Sequence, residues 1–138
     1  MKIELHRVPV DELLHHVNPL NATLWGCDPI SEPEILAAAE NDQLESEPWD
    51  QAKGRLQGPE GRKFHIERIA HFVKIGLPCD QFRVQLDLQP SAGKEIGILN
   101  GNHRIAAARI RGDATIDALL YFFDAADITR LLPGARKL

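Results

Sequence analysis

Residues Ile96-Gly97-Ile98-Leu99-Asn100-Gly101-Asn102-His103-Arg104-Ile105-Ala106-Ala107-Ala108-Arg109-Ile110-Arg111-Gly112 leave the chain few ways to fold. A short apolar run breaks at Asn-Gly and resumes as an alanine-rich segment of good helix formers that ends on a glycine. The pattern predicts strand, tight turn and helix. Such a turn aims the first unpaired N–H groups of the helix, and the positive end of its dipole, at the space above the sheet, where an anion binds. Either Asn100 or Asn102 caps the helix, Gly101 takes a positive φ and lets a ligand approach the backbone, and Arg104 adds a fixed charge in the first turn. A cation at that end opposes the dipole, so its placement asks for an anionic partner. The bland alternative is an arginine on a solvated face. Asn-Gly also suits a hairpin, but the residues after Asn102 do not alternate and make no second strand.

The segment Gly101-Asn102-His103-Arg104, followed by Ala106-Ala107-Ala108 and Gly112, resembles the signature of the ParB/sulfiredoxin superfamily. In that family a Gly-x-His/Arg-Arg segment opens a helix against the phosphates of a nucleotide. His65 to Leu88 is similar to the helix, glycine and strand that precede the motif in ParB-like domains, Ala114 to Phe123 to the strand that follows, and Val8 to Leu14 to their opening strand and short helix. About half the chain is covered well. The resemblance implies an α/β (α+β) fold, a small mixed sheet flanked by helices, in a single domain over residues 1–138 with a family-atypical insert at about 19–63. It implies a nucleotide, ATP or CTP, carried with Mg2+, and a link to plasmid or phage DNA.

Departures from the family narrow the role. Sulfiredoxins carry a catalytic cysteine immediately before the His-Arg pair, whereas Asn102 stands there, which argues against sulfinic-acid reduction. Kinase-like members use a glutamate near the end of the first helix as base, and here His15, His16, Val17 and Asn18 occupy that place. Adjacent histidines point about 100° apart on a helix and do not face one site together, so both are expected to be solvated. Partition proteins continue into a helix-turn-helix domain, while this sequence is expected to add one helix only. The type that remains is a stand-alone ParB-like domain, often labelled nuclease-like, and that label implies a fold relationship more than a reaction.

Length and composition bound the rest. With 138 residues, 43% of them hydrophobic and 26% charged, the chain suits one ordinary soluble domain with a core of its own. The net charge of −4 argues against a general nucleic-acid coat, so any such contact needs a local patch. Cys27 and Cys79 lack zinc spacing and are expected to be reduced thiols in a cytoplasmic protein. No apolar run reaches the length of a membrane span, and no signal-peptide pattern is expected at the start.

Along the chain, Ile3 and Leu5 alternate with Lys2, Glu4 and His6 and predict a strand ended by Pro9. Val10, Leu13, Leu14 and Val17 follow at helical spacing. Ser31-Glu32-Pro33-Glu34 reads as a capping box opening a helix through Ile35, Leu36 and Ala39. An acidic stretch with Asp42, Glu45 and Glu47 leads to Trp49, then to the glycine-rich basic loop Lys53 to Lys63. That loop is either a solvated linker or a flap whose Arg55, Arg62 or Lys63 closes over phosphate. Phe64 to Ile75 predicts a helix with Ile66, Ile69, Ala70 and Val73 inward and Gly76 as its stop, and it places His65 and Arg68 on another face, toward the same site or toward solvent. Phe82 to Leu88 alternates strictly and predicts a strand, Pro90 to Gly93 a turn, and Thr115 to Phe123 a last strand, central or covered. Asp124 caps a final helix with Ile128, Leu131 and Leu132 inward, closed by Pro133-Gly134.

Two functions of different class follow. In the first, Asn100, Gly101, Asn102, His103 and Arg104 bind the phosphates of ATP or CTP, with His103 and Arg104 as the catalytic residues and His103 able to titrate near neutrality. The metal ligand is not legible; Asp11, Glu12 and Asp113 are candidates by position only. In the second, the same turn and the basic loop grip DNA as a binding or nuclease module, and an interaction protein without chemistry is the third possibility.

Overall fold

The computed structural model describes residues 1–138 apart from 22–24, 53, 55, 57–58, 78–82 and 90–94 and the side chain of residue 59. Arg55, Cys79, Phe82 and the turn at Pro90 to Gly93 therefore lie outside the described residues. The sheet has five strands in the order β3-β2-β4-β1-β5: β1 (Lys2–Pro9), β2 (Val84–Asp87), β3 (Gly97–Asn100), β4 (Thr115–Phe122) and β5 (Arg136–Lys137). β2 runs parallel to β4 and every other pairing is antiparallel, so the sheet is mixed, as expected.

β4 lies at the centre, and its alternation fixes the inner face. Ile116, Ala118, Leu120 and Phe122 are buried against Val8, Val84 and Leu86. Each large side chain removed from water in this way contributes roughly 1.5–3 kcal/mol. The register places Val8 beside Ile116 and His6 beside Ala118, so β1 turns Val8 and His6 inward. Ile3 consequently remains 54% exposed. The apolar residues at the start of the strand mark its outer face because the pairing with β4 decides the register. β5 was not foreseen; it is a two-residue addition beside His6 and Arg7.

Helix α1 (Val10–Leu14) is shorter than the spacing through Val17 predicts. His16 follows it and is not solvated: its Nε2 meets the Leu131 carbonyl at 3.0 Å and its Nδ1 a Glu95 carboxylate oxygen at 2.8 Å, which ties the end of α1 to the last helix. His15 is exposed. Helix α2 (Glu32–Glu40) opens on the expected box, with the Ser31 N–H donating to Glu34 Oε2 at 2.9 Å. A single turn, α3 (Trp49–Ala52), precedes the long helix α4 (Pro59–Ile75). Helix α4 starts five residues before the expected Phe64 and absorbs the second half of the basic loop. Proline is well suited to a first helical position, and Glu60 in the first turn favours the dipole.

Helix α5 (Asn102–Arg111) joins the two halves of the core. Ile105 and Ala108 pack into the sheet-side cluster, while Ala106 and Ala107 pack into a second cluster with Trp25, Ile35, Ile69, Ala70 and Phe72. Alanine on both faces lets sheet and helices approach the same backbone closely. Helix α6 (Ala125–Leu131) is capped as expected, Asp124 Oδ1 accepting from the Ala126 N–H at 2.9 Å, with Ile128, Leu131 and Leu132 buried. Among the described residues no helix is long and apolar enough to cross a membrane.

Candidate functional site

The turn between β3 and α5 is built around Gly101. Its φ of 103° lies in the left-handed region, and a Cβ there would stand 2.8 Å from Val84 Cγ2 and 3.0 Å from Val84 Cα. Only glycine meets both conditions, and its closeness to β2 fixes where the helix begins. The expected asparagine cap does not form: Gly101 itself is the N-cap, and no side chain caps the helix. Asn102 is the first helical residue, and its Oδ1 is buried without a hydrogen-bond partner. The first-turn amides are therefore left without a capping side chain among the described residues.

A cavity of about 570 Å3 opens at this turn. Asn100, Gly101, Asn102, His103 and Arg104 border it on one side. His65, Arg68, His71 and Phe72 of α4 border it on another, and Trp25 and the Ser46 to Gln51 segment complete it. Arg104 is only 9% exposed, and its Cζ lies 5.1 Å from the centre of the Phe72 ring. The Arg68 Cζ lies over the same ring at 4.4 Å, while Arg68 Nη1 donates to the carbonyls of Glu45 at 3.2 Å and Ser46 at 2.9 Å. The Phe72 ring engages both guanidiniums, and carbonyl acceptors hold that of Arg68. Asp50 is the carboxylate among the described lining residues.

His65 and His103 meet in the wall, His65 Nδ1 lying 2.9 Å from His103 Nε2. One ring nitrogen donates and the other accepts, so the contact requires at least one neutral ring. Trp25 lies tilted with its ring centre 4.9 Å from that of His65 and 4.8 Å from that of His103, Trp49 lies 4.5 Å from His65, and Phe64 closes edge-on. This apolar casing disfavours charge. Burial pushes His65 down to about 4. Burial, then the proximity of His65 and Arg68, pushes His103 down to about 3. The expectation that His103 titrates near neutrality is corrected: it is uncharged at pH 7 and offers ring nitrogens rather than a cation. His71 is also lowered, by burial and by Arg68, with Glu45 opposing.

The structure brings together Asn100 to Arg104, His65 and Arg68, and it separates Arg62 and Lys63 from them. Arg62 does not reach over the cavity. Its Nη2 donates to Glu34 at 2.7 and 2.8 Å and to the Pro29 carbonyl at 2.6 Å, because α4 begins early enough to turn it toward α2. This contact holds the Glu34 carboxyl below its ordinary range. Lys63 is exposed and does not border the cavity. Of the acidic candidates, Glu12 accepts from the Gly134 N–H at 2.7 Å, Asp113 pairs with Arg111 at 3.3 Å, and neither these nor Asp11 border the cavity.

Trp25, Trp49, Asp50, His71 and Phe72 were not expected. The signal available was compositional: the chain has two tryptophans, both in or beside the atypical insert, and both line this cavity. No family model matches the chain, and no curated protein or solved structure matches it.

Proposed function

We propose that the chain binds a nucleoside triphosphate, ATP or CTP, with its phosphates on the first turn of α5 and its base among the aromatic side chains of the cavity. The observation that carries this reading is the uncapped α5 turn opening into a cavity bordered by Arg68 and Arg104. Backbone donors and fixed guanidiniums are what a triphosphate requires. Two buried polar atoms of bordering residues, the Trp25 Nε1 donor and the Asn102 Oδ1 acceptor, lack partners among the described residues. A base or ribose that presents one acceptor and one donor would satisfy them.

Among the described residues no group of three or more His, Cys, Asp or Glu is arranged to hold a metal ion. Magnesium that arrives on a nucleotide needs only one or two carboxylates beside the phosphate oxygens, and Asp50 fits that requirement. Such an ion would neutralise phosphate charge. In hydrolysis or phosphoryl transfer Arg104 would stabilise charge on the phosphoryl oxygens, and neutral His103 would donate or accept a hydrogen bond at the same group. Engagement of Arg62 by Glu34 takes away support from the reading in which a basic loop grips DNA.

Calorimetric titration of the full chain with ATP and CTP in magnesium tests the proposal. Saturable binding is expected, weakened at least tenfold by Arg68→Ala and by Arg104→Lys, and weakened by Trp49→Ala. No saturable binding to either nucleotide, or binding indifferent to all three substitutions, overturns it.

A further inference from the structure

Arg104 borders a second cavity, of about 340 Å3, on the side away from the histidine pair. Arg7, Arg83 and Arg111 line it as well, and the carboxylates there are Asp113 and Asp117. Four arginines and two aspartates thus line it, on a chain whose net charge is −4. The carboxylates are already engaged: Asp117 with Arg7, Nε to Oδ1 at 3.0 Å, and Asp113 with Arg111 at 3.3 Å.

Arg7 and Arg111 are held at this cavity by Asp117 and Asp113. Arg111 Nη1 donates to the Phe72 carbonyl at 3.2 Å and lies 3.0 Å from where a Cβ on Gly76 would stand. Half-buried Arg83 makes no hydrogen bond or ion pair among the described residues. A partly desolvated guanidinium on the wall of a concavity favours a bound anion. Thr115 lines the same space.

We infer that this cavity is a second anion site, which takes the phosphoryl group of a small phosphorylated molecule. Guanidiniums arranged around a concavity match phosphate oxygens with paired N–H donors. A pocket of this volume is the size of a small-molecule site, and the overall negative charge of the chain disfavours an extended polyanion. The inference does not rest on nucleotide binding at the first cavity.

Inorganic pyrophosphate is the probe, titrated into the full chain at low salt and followed by calorimetry and by the side-chain Nε–Hε resonances of Arg83 and Arg111. Saturable binding that shifts both resonances is expected, weakened about tenfold by Arg83→Gln and about twofold by Thr115→Val. Arg83 and Thr115 border only this cavity, so neither variant disturbs the other one. If neither ATP nor CTP binds while pyrophosphate does so with this dependence, the nucleotide reading fails and the second site stands. Absence of saturable pyrophosphate binding, or binding unchanged in both variants, overturns the inference. So does a duplex oligonucleotide that binds more tightly than pyrophosphate with the same reliance on Arg83, because that result describes an open nucleic-acid surface.

Discussion

The two faces of helix α5 (Asn102–Arg111) look onto different surroundings. On the sheet side, Ile105 and Ala108 share a mainly aliphatic cluster with Val84, Leu86 and Leu120. On the helix side, Ala106 and Ala107 meet a layer that also packs Trp25 and Phe72, and the start of the same helix carries His103 against His65 and Arg104 against Phe72. The first face supplies stability, while the second buries polar groups that cost stability unless they are hydrogen-bonded. A site of this kind needs both, because the aliphatic side fixes the position of Gly101 and the polar side gives that position a use.

The largest expected effect lies on the aliphatic side. Leu120→Ala removes a fully buried side chain from the central strand and is expected to cost about 2–5 kcal/mol, measured by urea unfolding at neutral pH. A cost below about 1 kcal/mol would erase the distinction between the two faces.

Acid should act on the other side. The folded values of His65 and His103 lie near 4 and 3, below the ordinary value of about 6.5, so the unfolded chain takes up protons first as pH falls. The stability contributed by the neutral pair is complete above about pH 6.5 and is lost progressively toward pH 4. At about 1.4 kcal/mol per unit, and allowing for partial solvent contact, the loss between pH 6.5 and 4.5 is on the order of 2–3 kcal/mol. Urea midpoints across that range are expected to flatten when both histidines are changed to glutamine; an unchanged slope would place the acid sensitivity elsewhere.

Gly101→Ala probes the joint between the faces. The positive φ and the 2.8 Å approach to Val84 Cγ2 together are expected to cost roughly 1–3 kcal/mol and to displace the first turn of α5. Thermal unfolding reads the first effect and nucleotide titration the second. The smallest change is expected from Arg62→Ala, below about 1 kcal/mol with nucleotide affinity unaltered, since Arg62 serves a solvated pair with Glu34. Lost affinity in that variant would restore Arg62 as a closing flap.

The contrast between the faces also separates what was legible in the sequence from what was not. Leu86 and Leu88 alternate with Gln85 and Asp87, and the break at Asn100-Gly101 ends a strand. These are local patterns, and β2, β3 and α5 form where they indicate. The face of β1 escaped because register with β4, over a hundred residues away in sequence, decides it. The histidine pair escaped for a similar reason: His65 and His103 are 38 residues apart, and neither helix announces the other's histidine as a partner. The basic segment misled because its glycines and Pro59 read as loop, while docking against α2 through Arg62 and Glu34 accompanies an earlier helix start. His65 and Arg68 share the α4 side that borders the cavity, and spacing alone left that side undecided between site and solvent.

The most direct measurement is the backbone amide spectrum of 15N-labelled protein during titration with ATP or CTP in magnesium. The account requires saturable downfield shifts of the Asn102, His103 and Arg104 N–H signals, accompanied by the Trp49 indole. Saturable shifts confined to Arg83, Arg111 and Thr115, with the α5 turn silent, would contradict it.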